Sequence, residues 1–392
     1  MKKILSILLA AACLASCSKG SDWYDSIGGR DEASAPGEGN NDISAQPGIL
    51  TAGEWNDLHN WDFWQGLMIG AKYSNYPKDW GFYTDGRIYV EVCTEDGEAF
   101  TNVTVELYSD NKCLWSAKTD NRGKAECWLN LYNEYESRYT APENLRLEVD
   151  HSVVDREVNV TYLQDEKVAV NRIVLPKSML TDENEVDIAF IVDATGSMAD
   201  EINFLKSDLL DILGKVKNYD SRLKIRTAAV MYRDNGDEYI IRHQGFREDP
   251  NETAKFIEEQ RASGGGDYPE AVHTALEAGI QSLEWTRYPK ANMAFLICDA
   301  PAHDDSEVIK SLHRSIKEYA KQGIAIIPVA ASGVDKETEF LLRSFAIATN
   351  GTYVFLTNDS GIGGEHIEPT VGEYQVELLN DLLTRIIQER ID

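Results

Sequence analysis

The sequence predicts a multidomain protein in which an all-β sandwich is followed by an α/β domain with a doubly wound, mostly parallel sheet. Two patterns predict this fold class. Short β-rich segments with alternating apolar residues and turn signals fill residues 85–177. Apolar strands alternate with long amphipathic helices over residues 180–392. The length of 392 residues agrees, because it suggests two or three domains.

Residues 1–16 are typical of a lipoprotein signal peptide. Lys2 and Lys3 form a basic start, and the apolar stretch after them is too short to span a bilayer as a mature helix. The end of this segment, Leu14-Ala15-Ser16-Cys17, resembles a bacterial lipobox, which implies cleavage before Cys17 and acylation of that cysteine. We therefore expect a lipid anchor in the outer membrane of a bacterial cell envelope, on its periplasmic or its external face. An ordinary secretory leader with a chance cysteine is the alternative.

Two segments precede the predicted sandwich. Residues 17–46 are rich in Gly, Ser, Asp, Asn and Pro and predict a flexible linker. Residues 47–84 contain three closely spaced tryptophans, Trp55, Trp61 and Trp64. Thr51 followed by Glu54 predicts a capped short helix here. The aromatic side chains could contact a carbohydrate or a protein, but we expect this segment to pack on the sandwich.

The predicted sandwich has seven strands separated by turn signals. They cover residues 87–94, 102–109, 113–119, 124–132, 145–150, 156–163 and 169–175. The pattern resembles immunoglobulin-like and carboxypeptidase-regulatory sandwiches, which implies a spacer or presentation module. Cys93, Cys113 and Cys127 fall in this region and no C-x-x-C spacing occurs, so a zinc or redox centre is not expected. A Cys113–Cys127 disulfide and free thiols both remain open.

Strands and helices alternate in the second half of the chain. Strands are predicted at residues 186–192, 223–232, 238–243, 294–298, 324–331 and 352–356, and helices at 200–216, 250–262, 269–283, 306–321, 336–348 and 374–390. In doubly wound sheets of this kind, ligands bind outside the carboxyl ends of the strands. Asp193 ends the first of these strands, and Thr195 and Ser197 follow in a tight loop. Such oxygen-bearing side chains suit hard divalent cations.

The stretch D-A-T-G-S at residues 193–197 resembles the D-x-S/T-x-S signature of von Willebrand factor A domains. The resemblance covers the chain from about residue 182 to the C-terminus, and it implies a Rossmann-like fold and a metal-ion-dependent adhesion site. The positions that match this site are Asp193, Thr195, Ser197, Asp267 and Asp299. The resemblance implies bound Mg²⁺, or Ca²⁺ or Mn²⁺ in its place.

One matching position departs from the usual family pattern. The second metal loop usually supplies a threonine, whereas this chain has Asp267 in GGGDYPE, similar to hemicentin-like and alpha-kinase-associated domains. A third carboxylate makes the ion a weaker electrophile. We therefore expect Asp267 to strengthen metal retention and to weaken carboxylate-dependent adhesion. Arg233, His303 and His366 lie in neighbouring predicted loops, where each could serve the site or only the surface.

The resemblance implies a metal-dependent binding or adhesion module with a protein or glycan partner. A structural subunit in which the metal only ties loops together is the alternative, and a metal-assisted hydrolase is the third. No G-x-S-x-G, H-E-x-x-H or P-loop motif is present, so we expect no enzyme activity. The net charge of −28 argues against a nucleic-acid partner, because phosphate contacts need clustered Lys and Arg.

Overall fold

The computed structural model of the chain describes residues 46–70, 73, 75–132, 144–181 and 183–392. The expected signal peptide, the acylated Cys17 and all of the expected linker except Gln46 lie outside these residues. Among the described helices, none is both long and apolar enough to cross a bilayer.

The first half of the described chain is mainly β-structure. It contains β1 (Thr51–Trp55), α1 (Trp61–Ile69), α2 (Tyr76–Asp79), β2 (Arg87–Cys93), β3 (Thr104–Ser109), β4 (Lys112–Lys118), β5 (Lys124–Trp128), β6 (Leu145–Val149), β7 (Ser152–Val153) and β8 (Val170–Val174). Two small sheets arise from these strands, with the orders β5-β2-β8 and β4-β3-β6-β7. Residues 156–163, predicted as a strand, contribute only an isolated bridge between Thr161 and Arg87.

The second half of the chain alternates strands and helices. It contains β9 (Glu185–Asp193), α3 (Ile202–Lys217), β10 (Lys224–Tyr232), β11 (Ile241–Arg247), α4 (Pro250–Glu258), α5 (Val272–Gln281), β12 (Ala291–Cys298), α6 (Ser306–Gln322), β13 (Ile324–Ala330), α7 (Lys336–Ala348), β14 (Tyr353–Leu356), β15 (Glu377–Leu378) and α8 (Leu379–Ile391). The α/β prediction for this half is confirmed.

The large sheet has eight strands in the order β11-β10-β9-β12-β13-β14-β1-β15. Its five central strands, from β10 to β14, pair in parallel, while β11, β1 and β15 pair antiparallel at the two ends. The central strands are buried almost throughout because helices cover both faces. One apolar core joins α3 and α8 to the sheet, and a second core contains residues of α5, α6 and α7.

The tryptophan-rich segment has a role that the sequence did not indicate. The helix predicted from Thr51 and Glu54 is wrong, because this stretch is β1, which pairs with β14 at Ala52↔Leu356. Trp64 is fully buried, stacks on Phe340 of α7 with ring centroids 5.8 Å apart, and donates to the Thr84 hydroxyl. The segment thus completes the large sheet, and its rings join the core shared by the small sheets and α7.

The cysteine thiols of the described chain are all free. Cys127 and Cys298 are buried within β5 and β12, and burial raises the pKa of both thiols well above the usual value. Neutral buried thiols pack as small apolar side chains. Cys127 and Cys298 therefore contribute to the cores, whereas Cys113 is exposed.

Candidate functional site

The site lies where β9 and β12 end side by side in the middle of the large sheet. The chain leaves β9 towards β10 on one side, and β12 is the neighbour on the other side. The connections therefore diverge at this point, which opens a crevice beyond the carboxyl ends of the two strands. Asp193 is the last residue of β9, and Asp299 directly follows β12. Both carboxylates are placed at the crevice by buried strands.

The loop after β9 is organised by the Asp193 carboxylate. One oxygen, Oδ1, accepts hydrogen bonds from the Thr195 main-chain N–H at 2.8 Å and from the Thr195 hydroxyl at 2.7 Å. The Thr195 hydroxyl lies 3.1 Å from that of Ser197. Asp193 and Thr195 are fully buried, whereas Ser197 is exposed. Three oxygen-bearing side chains therefore line a path from the core to the surface.

The two aspartates share a dry environment and each has one oxygen without a protein partner. Oδ2 of Asp193 and Oδ1 of Asp299 are buried and accept no hydrogen bond. Burial, followed by the nearby Asp299 charge, raises the pKa of Asp193 to about 7. Burial also raises the pKa of Asp299, although a hydrogen bond from Ser197 opposes this. Two unpaired buried carboxylate oxygens are costly unless a proton or a cation neutralises them.

The glycine-rich loop at residues 263–266 is fastened to the first loop by main-chain hydrogen bonds. The N–H of Gly196 donates to the Gly264 carbonyl at 3.0 Å, and the N–H of Ser263 donates to the Ala194 carbonyl at 3.0 Å. Gly264 has a φ of +86°, and a Cβ there would lie 2.3 Å from the Asp237 carboxylate. Only glycine fits this close approach in that conformation. The glycines at residues 264–266 thus allow this loop to pack closely against the loop after β9.

Asp267 stands apart from the other four predicted ligands. It is exposed, and no hydrogen bond or ion pair joins it to Asp193, Thr195, Ser197 or Asp299 within the described chain. The helix predicted from Pro269 begins later, at Val272. The reason is that Glu270 donates its N–H to the Pro301 carbonyl at 2.9 Å and forms a parallel bridge with Ala302. Asp267 therefore lies in an exposed bend that precedes this bridge.

Glu270 is the acidic residue at this site that the sequence analysis missed. Its side chain is buried, with 3% of the residue exposed, and Oε2 accepts no hydrogen bond. A Cβ on Gly265 would lie 2.9 Å from Glu270 Oε1 and 3.3 Å from Thr195 Cβ, so Glu270 reaches the Thr195 side of the crevice. Burial and then the charge of Asp193 raise its pKa to about 9. The available signal was an acid three residues after Asp267 in GGGDYPE.

The donor set fits a hard divalent cation. Within the described chain, no three His, Cys, Asp or Glu side chains come close enough to hold a metal by themselves. The set instead consists of Asp193, Asp299 and the hydroxyls of Thr195 and Ser197. Carboxylate and neutral oxygens are the ligands that Mg²⁺ and Ca²⁺ use, and Mg²⁺ keeps waters beside one or two carboxylates. The two buried oxygens without partners are free to meet such an ion.

Residues 187–361 match the family model described as "von Willebrand factor A domain". A von Willebrand factor A domain is present in this chain. Domains of this family often bind a divalent metal at an adhesion site of this type. The matched residues begin within β9 and end after β14, so they contain the three loops that carry Asp193, Asp267 and Asp299.

Two curated proteins are similar to part of this chain. An ariadne-like RING finger protein of Acanthamoeba polyphaga mimivirus is 32% identical over 133 residues, which are 33% of this chain and 12% of that protein. The alpha-protein kinase vwkA of Dictyostelium discoideum is 36% identical over 120 residues, which are 30% of this chain and 19% of the kinase. The chain thus spans less than a fifth of the length of either relative. The similarity covers about a third of this chain and a small part of each relative.

Arg233 and two histidines lie in loops next to the crevice of the von Willebrand factor A domain. Arg233 is buried, and its guanidinium donates to the main-chain carbonyls of Ala194 at 3.1 Å and Arg261 at 2.8 Å. It therefore holds two loops together, and it also forms a 3.7 Å ion pair with the exposed Glu238. His303 Nε2 lies 2.8 Å from Asp234 Oδ1.

His366 lies on the opposite side of the crevice, in the glycine-rich loop after β14. It is buried, and its Nε2 lies 3.0 Å from Oε1 of Glu201. Glu201 also accepts a hydrogen bond from the Ser332 N–H at 3.2 Å. The pair fixes the loop of His366 against the segment after β13. His303 and His366 are thus each held by a carboxylate and act as parts of the loop framework.

Proposed function

We propose that this chain is a divalent-metal-dependent binding module whose von Willebrand factor A domain holds a protein or glycan partner. The observation that carries the proposal is the pair of buried oxygens, Asp193 Oδ2 and Asp299 Oδ1, without partners beside the Thr195 and Ser197 hydroxyls. A protein that keeps two such atoms dry needs a neutralising group there. Ser197 is exposed, so a cation at this place would remain accessible from outside.

In this proposal Asp193, Thr195, Ser197 and Asp299 hold Mg²⁺, or Ca²⁺ or Mn²⁺, directly or through water. When bound, the ion supplies a positive centre to which an oxygen of the partner binds. Glu270 adds negative charge on the buried side, and Asp267 adds it at the exposed rim. In the same proposal Asp267 holds the ion through water and discourages an additional carboxylate. Substitution of Asp267 by threonine tests this role, since we expect weaker metal binding in the variant.

The alternative of a metal that only ties loops together has less support. The loops after β9 and before α5 are already joined by the Gly196–Gly264 and Ser263–Ala194 hydrogen bonds. The Arg233 guanidinium further holds Ala194 to Arg261. Because protein groups supply these connections, the cation is left free to serve a partner. We likewise propose no hydrolase, since the sequence contains no G-x-S-x-G, H-E-x-x-H or P-loop motif.

We also propose that the chain is a lipoprotein, anchored through Cys17 in the outer membrane of a bacterial cell envelope. The support is the sequence of residues 1–17, with its basic start and lipobox. In this arrangement the two small sheets act as one β-sandwich that presents the binding domain, and nucleic acid is not a partner. Metabolic labelling with palmitate tests the anchor, with Cys13 as the matched control. Label should disappear in Cys17→Ser and persist in Cys13→Ser.

Thermal unfolding of residues 46–392 tests the metal site. Mg²⁺, Ca²⁺ or Mn²⁺ added to chelator-treated protein should raise the melting temperature by mass action. Asp193→Ala should lose this shift. Asp62→Ala is a matched control, because Asp62 is exposed in α1, which supplies none of the loops that carry the predicted ligands. Equal shifts in the two variants would contradict the proposal. Partner binding that survives chelation would instead favour the structural alternative.

A further inference from the structure

A large polar cleft lies away from the metal site, between the small sheets and one end of the large sheet. Its volume is about 1060 Å³. It is lined by the chain after β1, the β4–β5 turn, the segment before β15 and the last turns of α8. Asn121 of the turn donates to the Glu389 carbonyl of α8 at 2.8 Å, which closes one side. No residue of the loops that carry Asp193, Asp267 or Asp299 lines it.

Most carboxylates of the cleft already have partners. Arg385 lies within 3.1 Å of three of them, and these are Glu54, Glu377 and Glu389. Glu126 forms a buried ion pair with Arg87 at 2.6 Å. Asp120 accepts the N–H groups of its own turn, at Arg122 and Lys124, and the Asn350 amide. Only Glu373, exposed at the rim, has no partner in the described chain.

Three other cations of the same cleft are not matched in this way. Arg122, Lys124 and Arg390 form no salt bridge with a described carboxylate. Arg122 is exposed. The Nζ of Lys124 lies 5.9 Å from the centroid of the Tyr89 ring. Arg390 donates to the Asn350 main-chain carbonyl. Burial and then the charges of Lys124 and Arg122 lower the pKa of the neighbouring His59, so these cations converge on one wall.

Such a group is unexpected in a chain with 66 Asp and Glu against 38 Lys and Arg. Carboxylates are abundant, and Asp120, Glu54 and Glu389 lie near enough to act on Arg390 through space, yet no described carboxylate forms an ion pair with any of the three cations. We propose that this cleft binds an acidic peptide segment of a partner protein, whose carboxylates pair with Arg122, Lys124 and Arg390. At physiological salt, screening over about 8 Å leaves these local charges more important than the net charge of the chain.

The shape and lining favour a peptide over a sugar. The volume is at the upper end for small-molecule pockets, which reach about 1,000 Å³, and therefore suits several residues of an extended chain. Sugars stack on exposed aromatic faces, but Trp55 is 8% exposed and packs against Phe63. Tyr374 is held edge-on by Phe355 with ring centroids 4.9 Å apart. The aromatic rings are thus committed to packing.

The test uses fluorescence anisotropy of labelled hexaglutamate with protein comprising residues 46–392. We expect binding by wild type and a loss of at least about tenfold in Arg122→Glu/Lys124→Glu, because two attractions become repulsions. Arg122→Gln/Lys124→Gln should give an intermediate loss. The matched control is Lys310→Glu/Arg314→Glu, which changes the same charge on the exposed face of α6.

The remaining arms separate this site from the metal site and from other ligands. Chelator and Asp193→Ala should leave hexaglutamate binding unchanged, so this inference stands or falls independently of the proposed metal function. Loss of binding on chelation would overturn the cleft assignment. Binding of tetragalacturonate but not of hexaglutamate would show an acidic glycan site and overturn the peptide assignment. An equal loss of hexaglutamate binding in the α6 control would show that only the net charge of the protein matters. That result would also overturn the cleft assignment.

Discussion

Asp57 and Arg343, 286 positions apart, form a buried bidentate ion pair. Arg343 Nη2 lies 2.6 Å from Asp57 Oδ1, and Nε lies 2.9 Å from Oδ2. Both side chains are almost completely buried. Asp57 belongs to the tryptophan-rich segment and Arg343 to α7, so the pair fastens the start of the described chain to the von Willebrand factor A domain. Glu339 lies 3.5 Å from the same guanidinium and completes the network.

Removal of Asp57 should be severely destabilising. Asp57→Ala leaves the buried Arg343 charge without its bidentate partner, and we expect a loss of about 3–5 kcal/mol in the free energy of unfolding. Urea unfolding of residues 46–392 measures this loss. The double variant Asp57→Leu/Arg343→Met should recover part of it, because no unpaired charge remains at Arg343. A loss below about 1 kcal/mol in Asp57→Ala would show that the pair is not a main attachment.

The domain should also depend on the strand that precedes the small sheets. β1 pairs with both β14 and β15, and β15 has no other partner strand in the large sheet. A fragment of residues 180–392 lacks β1 and exposes the edge of β14. We expect it to melt at a lower temperature than residues 46–392 and to aggregate more readily. Equal melting temperatures by circular dichroism would mean that β1 is dispensable.

The sequence predicted the α/β half well because its strands are buried and its helices amphipathic. The same local signals failed for β1. Thr51 and Glu54 have the spacing of a helix cap, whereas the partner of Ala52 is Leu356, some three hundred residues away. The start of α5 was missed for a similar reason, since Glu270 is held in an extended conformation by Pro301 and Ala302. A local sequence pattern does not predict partners that lie so far away in the sequence.

The site could be predicted only in part. Asp193, Thr195 and Ser197 are neighbours in sequence, and hydrogen bonds bring them together as expected. Whether the Glu270 side chain reaches the site depends on the path of its loop after Gly265. A motif that specifies only residue types does not predict that path. Asp267 has the expected position in sequence, but it lies at the exposed rim. Its role remains a prediction for the Asp267→Thr variant.

Asp208 should make the protein less stable as the pH rises. Its carboxylate accepts the Gly48 N–H at 2.6 Å, and burial raises its pKa to about 6. The folded state therefore holds this proton more tightly than the unfolded state, and stability falls between about pH 4 and pH 6. Asp208→Asn should gain about 1 kcal/mol at pH 7 and little below pH 4. Asp220→Asn is the control, because hydrogen bonds from Arg222 hold the pKa of Asp220 at about 2.

Metal affinity should increase with pH around neutrality. Without metal, burial and the charge of Asp299 raise the pKa of Asp193 to about 7, so the carboxyl is largely protonated at pH 6. A cation binds the deprotonated form, and binding therefore releases a proton. We expect the apparent Mg²⁺ affinity to fall by up to about tenfold from pH 7 to pH 6. Calorimetry in two buffers of different ionisation enthalpy measures both affinity and proton release. An affinity independent of pH would argue that Asp193 is not a ligand.

Glu270→Gln separates a role in metal binding from a role in folding. Burial and the charge of Asp193 raise the pKa of Glu270 to about 9, so without metal the side chain is neutral at pH 7. Glutamine has nearly the same shape as this neutral form, and the melting temperature in chelator should change little. A bound cation favours the ionised carboxylate, an effect that glutamine cannot supply. We therefore expect Mg²⁺ affinity to fall by about tenfold, which corresponds to about 1.4 kcal/mol.

The control is Thr253→Val, because Thr253 is buried between α4 and β10, far from the crevice. This variant should lower the melting temperature and leave the Mg²⁺ affinity unchanged. Unchanged affinity in Glu270→Gln would confine this carboxyl to loop packing against Thr195 and Gly265.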